Sequence, residues 1–466
     1  MSVINPNAAG IDIGSRSHYV AIGQGEKDVR EFGVYAEDLA ALVKWLLNNQ
    51  IDTVAMESTG IYWQNLFVEL INAGLEVILT NGKFTKSINR KKTDVLDCHG
   101  VARRWIQKLH CLGLLPSSFL PDNTTEKLRT YCRHRDNMID QRANSIHKIS
   151  KFLKFLNFRL DVVVRDLAGQ TALKIIEDIC NGNLDGKSLA QHRHHNCRKS
   201  EKEIAKALVS NKREDYLFGL KQEFRRFQFY TSCINECDKE ISQFLELIIQ
   251  QKNDVVDDIP EPKPHKRQNR NDTKGINLNI VSYQYFDGVD LLAIPGVSHS
   301  TILTIMSEMG PDGFSKFPTA QHFASWLRLA PNNKISGGKT LSNRIPQGSN
   351  RLKTTLRNAA NAIGNLKDSD LAIFFRRIAF RKGRTAAINA TARKIAVIIW
   401  NMVTKKQPYS PKNKYLFLDQ KRRIISKMRK QIKNLGLNPD ELGFARANRD
   451  KIATKLNPDN QPLSLR

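Results

Sequence analysis

The chain has 466 residues, 41% of them hydrophobic, which at roughly 100–200 residues per domain suggests two or three domains with at least one full-sized core. Lys and Arg number 73 against 46 Asp and Glu, a formal net charge of +27. A solvated globule gains nothing from that excess, whereas each phosphate of a polyanion neutralised by it releases a condensed counterion; a ribosome-associated or merely basic protein is the plain alternative.

In chain order, Ala9–Ile13, Tyr19–Gly23 and Val29–Tyr35 read as short strands, followed by helical periodicity from Glu37 to Leu47. A strand at Thr53–Glu57, a helix from Tyr62 to Ala73 and a strand at Glu76–Thr80 come next. Three successive strands imply hairpins and the strand–helix–strand units imply parallel pairing, so residues 1–115 are expected to form a mixed α/β sheet of the ribonuclease H type. Residues 116–250 read as a helical arm, with one apolar seam from Leu128 to Leu156 and a second ending in Ile234, Ile241, Leu245 and Ile248. The two are expected either as a dimerising antiparallel pair or as an ordinary core pair. Pro260, Pro262 and Pro264 with the basic run Lys266–Arg270 mark a linker, placed at 251–284. Residues 285–410 read as a mostly α domain, and 411–466 as a basic tail whose Pro411–Leu435 stretch has nine Lys and Arg to one Asp419. No charged-then-apolar leader and no apolar run of roughly 18–20 residues is visible. Seven cysteines, an odd number, suggest reduced thiols in a cytoplasm.

Four carboxylates stand out in the first region. Asp12 sits in Ala-Gly-Ile-Asp-Ile-Gly-Ser; on a strand it faces away from Ile11 and Ile13, where a charge is costly unless paired or bound to a metal. Glu57 closes the strand of Thr-Val-Ala-Met-Glu-Ser-Thr-Gly, at the carboxyl end where open α/β sheets bind ligands. Asp94 and Asp97, in Lys-Lys-Thr-Asp-Val-Leu-Asp, lie i, i+3 on one helix face, and their mutual repulsion is relieved by a hard divalent cation. Capping and ion pairing are the plain alternatives for each. Together they suit one or two Mg²⁺ acting on a phosphodiester. Arg90, Lys91 and Lys92 beside them would receive a nucleic-acid backbone.

A second constellation lies in the 285–410 region. Ile294-Pro-Gly-Val ahead of Ser298, Ser300 and Thr301 looks like a helix-hairpin-helix, in which the amides around Gly296 would grip a phosphate at a helix N-terminus. In Ser336-Gly-Gly-Lys, the amides of Gly337 and Gly338, a hydroxyl and the Lys339 ammonium can converge on one phosphate, with Arg344, Arg351 and Lys353 following. Ser336 is then a phosphate ligand or a nucleophile; an ordinary solvated loop is the alternative.

These residues resemble the DEDD transposases of bacterial insertion sequences, the bridge-RNA-guided recombinases that join a RuvC-like domain to a serine-bearing transposase domain. The resemblance rests on Gly-Ile-Asp-Ile-Gly at 10–14, Met-Glu-Ser-Thr-Gly at 56–60, Lys-Thr-Asp-Val-Leu-Asp at 92–97, Ile-Pro-Gly-Val at 294–297 and Ser-Gly-Gly-Lys at 336–339. It implies that Asp12, Glu57, Asp94 and Asp97 are both catalytic and the Mg²⁺ ligands, and that Ser336 is the nucleophile forming a covalent link to DNA. It also implies a composite site shared between protomers of a tetramer built from dimers, a structured guide RNA pairing with DNA, and a bacterial cytoplasmic, nucleoid-associated setting. Val95 departs from a family pattern that often has a charged residue there, and residues 159–220 carry no transferable motif. His192, His194, His195 and Cys197 match none of the usual zinc spacings and read as a basic nucleic-acid-facing loop. The alternatives are a junction-resolving metal-dependent endonuclease without a serine intermediate, and a non-catalytic nucleic-acid-binding protein. A sugar-kinase or actin-like ATPase is suggested by Gly-Ile-Asp-Ile-Gly-Ser and disfavoured by the net charge.

Overall fold

The computed structural model describes residues 2–58, 60–85, 101–251, 269–348, 350–367 and 369–411, with short pieces between 425 and 436. The chain divides into two compact units, Met1–Leu120 and Pro121–Arg466.

The first unit is built on a five-stranded sheet: β1 (Ala8–Ile13), β2 (His18–Ala21), β3 (Val29–Phe32), β4 (Thr53–Glu57) and β5 (Glu76–Thr80). The strand order is β3-β2-β1-β4-β5, antiparallel across the first three and parallel from β1 through β4 to β5. This mixed sheet is compatible with the expected ribonuclease H-like fold, and β4 and β5 have the bounds read from the sequence. Alternation sorts the residues onto two faces. On one face Ile11, Ile13, Val20, Val54, Met56 and Leu79 join a core closed by α1 (Ala36–Asn48) and α2 (Gln64–Asn72). Leu39, Leu42 and Leu46 of α1 recur at helical spacing and are buried there, and Asp38 accepts from the Tyr35 N–H to cap the helix.

After the short α3 (Gly82–Thr85), α4 (Val101–Cys111) covers the other face. Ile106 packs on Ala55 and Leu115, His110 shares a 2.9 Å hydrogen bond with Thr53 Oγ1, and the Gln107 amide donates to the Ala8 carbonyl at 3.1 Å. Helix and strand touch so closely at Gly10 that a Cβ there would lie 2.2 Å from the Gln107 nitrogen. The residue is glycine because the α4 backbone occupies that space. As the strand residues rise from Thr53 to Ala55, their α4 partners fall from His110 to Ile106. The helix therefore runs antiparallel to β4, with its first turn toward the strand ends that carry Asp12 and Glu57.

The second unit opens on α5 (Asn123–Phe155), capped by the Asp122 carboxylate, which accepts from the Thr125 N–H. After four short helices, α6 (Leu160–Val163), α7 (Gln170–Cys180), α8 (Gly186–Ala190) and α9 (Glu201–Ala207), comes α10 (Glu214–Gln251). The pairs Tyr131–Phe244, Arg135–Asp238, Lys148–Glu223 and Phe155–Tyr216 show that α5 and α10 form an intramolecular antiparallel pair. The short helices pack Ile175, Ile176, Ile179, Leu189 and Ile204 against the far end of that pair. The motif-less stretch 159–220 thus contains a small helical core at the arm's tip. There the His192 ring bonds Asp178, while the Cys197 thiol lies 4.0 Å from the Val163 carbonyl.

Residues 269–284 were read as the end of a linker, and the structure gives them a different role. Asp272 and Thr273 are buried, the Asn271 carbonyl accepts from Arg135, and Leu278–Tyr285 forms α11. Apolar positions at Leu278, Val281 and Tyr285 form a helical face that the proline-rich run before it obscures. The remainder is α12 (His299–Met309), α13 (Ala320–Trp326), a hairpin of β6 (Lys334–Ser336) and β7 (Lys339–Ser342), α14 (Arg351–Gly364), α15 (Asp370–Lys382) and α16 (Arg384–Lys405). Glu308 of α12 holds Arg133 of α5 through two bonds of 2.9 and 2.8 Å, fastening this part to the arm's base. Among the described residues no helix is long and apolar enough to cross a membrane, and the six described cysteines are free.

Candidate functional site

Two of the four carboxylates read from the sequence come together in the first unit. β1 and β4 pair in parallel with Gly10 beside Ala55 and Ile11 beside Met56, so the register brings Asp12 next to Glu57, roughly 4.8 Å away in backbone terms. Both leave the sheet on the α4 face, at the carboxyl ends of adjacent parallel strands. The same row continues outward from Asp12 to Tyr19 and Glu31, and from Glu57 to Thr80. Every side chain in it ends in oxygen.

Glu57 is fixed by its surroundings. The Thr85 hydroxyl donates to its Oε2 at 2.6 Å, and its Oε1 lies 2.4 Å from where a Cβ on Gly82 would stand. The first residue of α3 is glycine so that the carboxylate can occupy that volume. Thr80 beside it is fully buried, and its hydroxyl has no hydrogen-bond partner in the structure. Thr80, Gly82 and Thr85 were not singled out in the sequence. A glycine two residues past a strand end was the one available signal, and nothing marked Thr85.

Asp94, Asp97, Arg90, Lys91 and Lys92 lie outside the described residues. Among the described residues no group of three or more His, Cys, Asp or Glu could hold a metal ion. The carboxylates of Asp12 and Glu57 are hard oxygen donors, a chemistry that could hold a divalent cation only with further ligands.

In the second unit, Ser336 and Lys339 face each other across the β6–β7 hairpin, joined by Gly337 and Gly338 at φ +55° and +74°. Positive φ at both central residues is what a type I′ turn requires. The stretch for which an ordinary solvated loop was the alternative is a hairpin tip: Ser336, Gly337, Gly338 and Lys339 are all exposed, and directly opposed side chains share one side of the ribbon. Gly-Gly between two short runs is a hairpin signal, masked here because Ile335 and Leu341 point into solvent, 64% and 69% exposed, and bury nothing.

The other residues assigned to phosphate contact have mixed surroundings. Arg344 is exposed, and its carbonyl accepts from the Asn332 N–H at the hairpin base. Arg351 is bound to Asp136 of α5 at 2.8 Å. Lys353 is buried, donates to the Gly348 carbonyl, and is held below the ordinary lysine range by burial and by Arg357 and Arg328 nearby. Gly296 has φ +80°, and a Cβ there would lie 2.7 Å from the Ala359 carbonyl of α14. Close packing against α14 thus accounts for that glycine.

The chain is accordingly an α/β unit with a carboxylate pair at the carboxyl ends of two inner strands, joined to a helical unit that displays a serine on a hairpin. Residues 9–158 match the family DEDD_Tnp_IS110, described as a transposase, and residues 290–373 match the family described as Transposase IS116/IS110/IS902. Those two stretches make up about half of the chain, which belongs to this family of insertion-sequence transposases. Over 114 residues (24% of the chain) it is 34% identical to an insertion element IS110 protein of Streptomyces coelicolor, and over 121 residues (25%) it is 27% identical to a transposase for insertion sequence element IS1111A of Coxiella burnetii. The matches span 28% and 33% of those relatives.

Proposed function

We propose that the chain is a DNA transposase of an insertion sequence, guided by a structured RNA, which cuts and rejoins DNA through a serine-linked intermediate. Its Mg²⁺ would be held by Asp12, Glu57, Asp94 and Asp97. The observation that carries the reading is the side-by-side placement of Asp12 and Glu57 at parallel strand ends, inside the stretch that matches the transposase family. Asp97 precedes Val101, the first residue of α4, by four residues. The bound cation would neutralise charge on the phosphodiester and favour an ionised serine hydroxyl.

The protein's own residues do the rest. Ser336 Oγ attacks phosphorus, a phosphoserine ester forms, and the P–O bond to the departing DNA oxygen breaks; a DNA hydroxyl later reverses the exchange. The Lys339 ammonium opposite Ser336 and the two glycine amides hold the phosphate oxygens. A serine at an exposed tip is well placed to serve a carboxylate site on another protomer, the composite tetramer the resemblance implies. The turn at Ile294–Val297, read as a helix-hairpin-helix, would add a backbone contact to DNA.

The test is to incubate the full chain and its co-purified RNA with labelled DNA and Mg²⁺, then to resolve covalent adducts on a denaturing gel. An adduct is expected with the wild type and none with Ser336→Ala. An equal adduct in the variant removes the serine, and undiminished cutting without any adduct makes the protein a resolvase-like endonuclease.

A further inference from the structure

A groove of about 1080 Å³ lies between α13, α15, α16 and the base of the β6–β7 hairpin. Its floor is apolar, formed by Leu329, Pro331, Ile345, Ile378, Val397 and the Trp400 ring, whose indole N–H is already bonded to the Phe314 carbonyl. Five cations line it, Arg381, Lys382, Arg393, Lys394 and Lys405, and among the described lining residues there is no Asp or Glu. Asn343, Asn389, Asn401 and Gln321 add side-chain amides, groups that both donate and accept. Lys394 Nζ stands 4.4 Å from the centre of the Phe374 ring, which steadies that cation at the groove wall.

We infer that this groove binds an unpaired stretch of DNA, with one or more bases laid on the apolar floor and the sugar-phosphate chain along the cations. Each part of the lining answers one part of a nucleotide. The apolar floor suits a base face, the amides suit base edges, and an acid-free cationic wall suits phosphates. A duplex hides its base faces in the stack and has no use for the floor. The chain's own tail is a poor occupant, because Pro411–Leu435 carries nine Lys and Arg and would meet like charge. Location points the same way. Pro331, Asn343 and Ile345 flank the two strands of the hairpin, so the groove begins where the ribbon bearing Ser336 leaves the domain. DNA freed from its partner strand during exchange at Ser336 would pass directly into it. This rests on the reading of the chain as a DNA transposase and adds a site to it.

The experiment measures fluorescence anisotropy of a labelled 12-nucleotide DNA strand, the same strand with abasic sites, its duplex, and RNA of the same sequence. Each probe is titrated with the full chain, with Arg393→Gln/Lys394→Gln, and with the exposed pair Arg381→Gln/Lys382→Gln. Either double variant is expected to lose about tenfold in affinity for the single strand. Its log-affinity against log-salt slope should fall by about 1.4, at ~0.7 per phosphate contact on single strands. The abasic strand should bind the wild type several-fold more weakly, and duplex binding should change less than twofold in the variants. Wild-type affinity and slope for the single strand in both double variants would overturn the groove assignment. So would equal losses for strand and duplex, no penalty for the abasic strand, or losses confined to the RNA. Failure of the wild type to bind any DNA would instead overturn the transposase reading itself.

Discussion

Replacing Gly10 by alanine puts one methyl group between β1 and α4. The new Cβ would stand 2.2 Å from the Gln107 nitrogen, 2.7 Å from its Cα and 2.9 Å from the Ile106 carbonyl carbon, all backbone atoms that cannot swing aside. Ordinary contact begins at 3.4 Å, so helix and strand must part by about 1.2 Å. At that displacement the His110–Thr53 bond of 2.9 Å and the Gln107–Ala8 bond of 3.1 Å both pass beyond hydrogen-bonding range. Overpacking costs about 1–3 kcal/mol, and a buried polar group left without its partner about 1–3 kcal/mol. Relaxation will recover part of this, and a net loss of about 3 kcal/mol is expected, a large share of the roughly 5–15 kcal/mol of a typical fold. Urea unfolding followed by far-ultraviolet circular dichroism measures it. Gly74→Ala serves as the control, since a Cβ there meets nothing within 4 Å and pays only for its φ of +83°, about 1–2 kcal/mol. A Gly10→Ala loss no greater than that of the control would refute the argument that α4 backbone contact requires the glycine.

Arg135→Leu should destabilise the second unit by about 3–5 kcal/mol in urea melts. It strands the buried Asp238, one of whose oxygens already lacks a partner, and Asp238→Leu in the same chain should restore most of the loss. Burial pushes the pKa of both His18 and His110 below the ordinary 6.5, so each takes up a proton less readily in the fold than in the unfolded chain. Their contribution to the first unit's stability is present above pH 6.5 and declines as the pH falls below it, by at most about 1.4 kcal/mol per pH unit for each histidine. Melting temperatures from pH 7.5 to 5.5 should show the decline, flattened in His110→Gln; a melting temperature constant over that range contradicts it. Gly338→Val meets no neighbour, but at a φ of +74° a β-branched residue is strained, so it should cost about 1–2 kcal/mol and lower adduct formation at least tenfold by misplacing Ser336. Unchanged adduct yield would mean that the hairpin turn does not position the serine.

Much of the first unit was legible because its signals are local. Val54, Met56, Val77 and Leu79 alternate or cluster apolar residues between turn residues, and Asp122 caps α5 in the way its position before a helical seam suggests. The juxtaposition of Asp12 and Glu57 was harder. It depends on a register between strands 40 residues apart, which no local pattern encodes. The start of α10 was missed because Leu220, Phe224 and Phe227 bury themselves in the small core of α6–α9, whose helices are too short to show a period of their own. Ser200 and Glu203 form a capping box at the start of α9, a local signal that the sequence reading passed over. The groove of the second unit was illegible for a different reason. Arg381, Lys382, Arg393, Lys394 and Lys405 come from two helices that meet only in the folded chain, and read in line they are unremarkable surface charges.

Mn²⁺, which takes the same oxygen ligands as Mg²⁺ and is visible by electron paramagnetic resonance, tests the carboxylate centre without any DNA present. Titrated into the full-length protein, it should bind, and Asp12→Asn, Glu57→Gln, Asp94→Asn and Asp97→Asn should each weaken it at least tenfold at an unchanged fold. Wild-type Mn²⁺ affinity in all four variants would mean that these acids do not share a cation, and the proposed chemistry would lose its foundation.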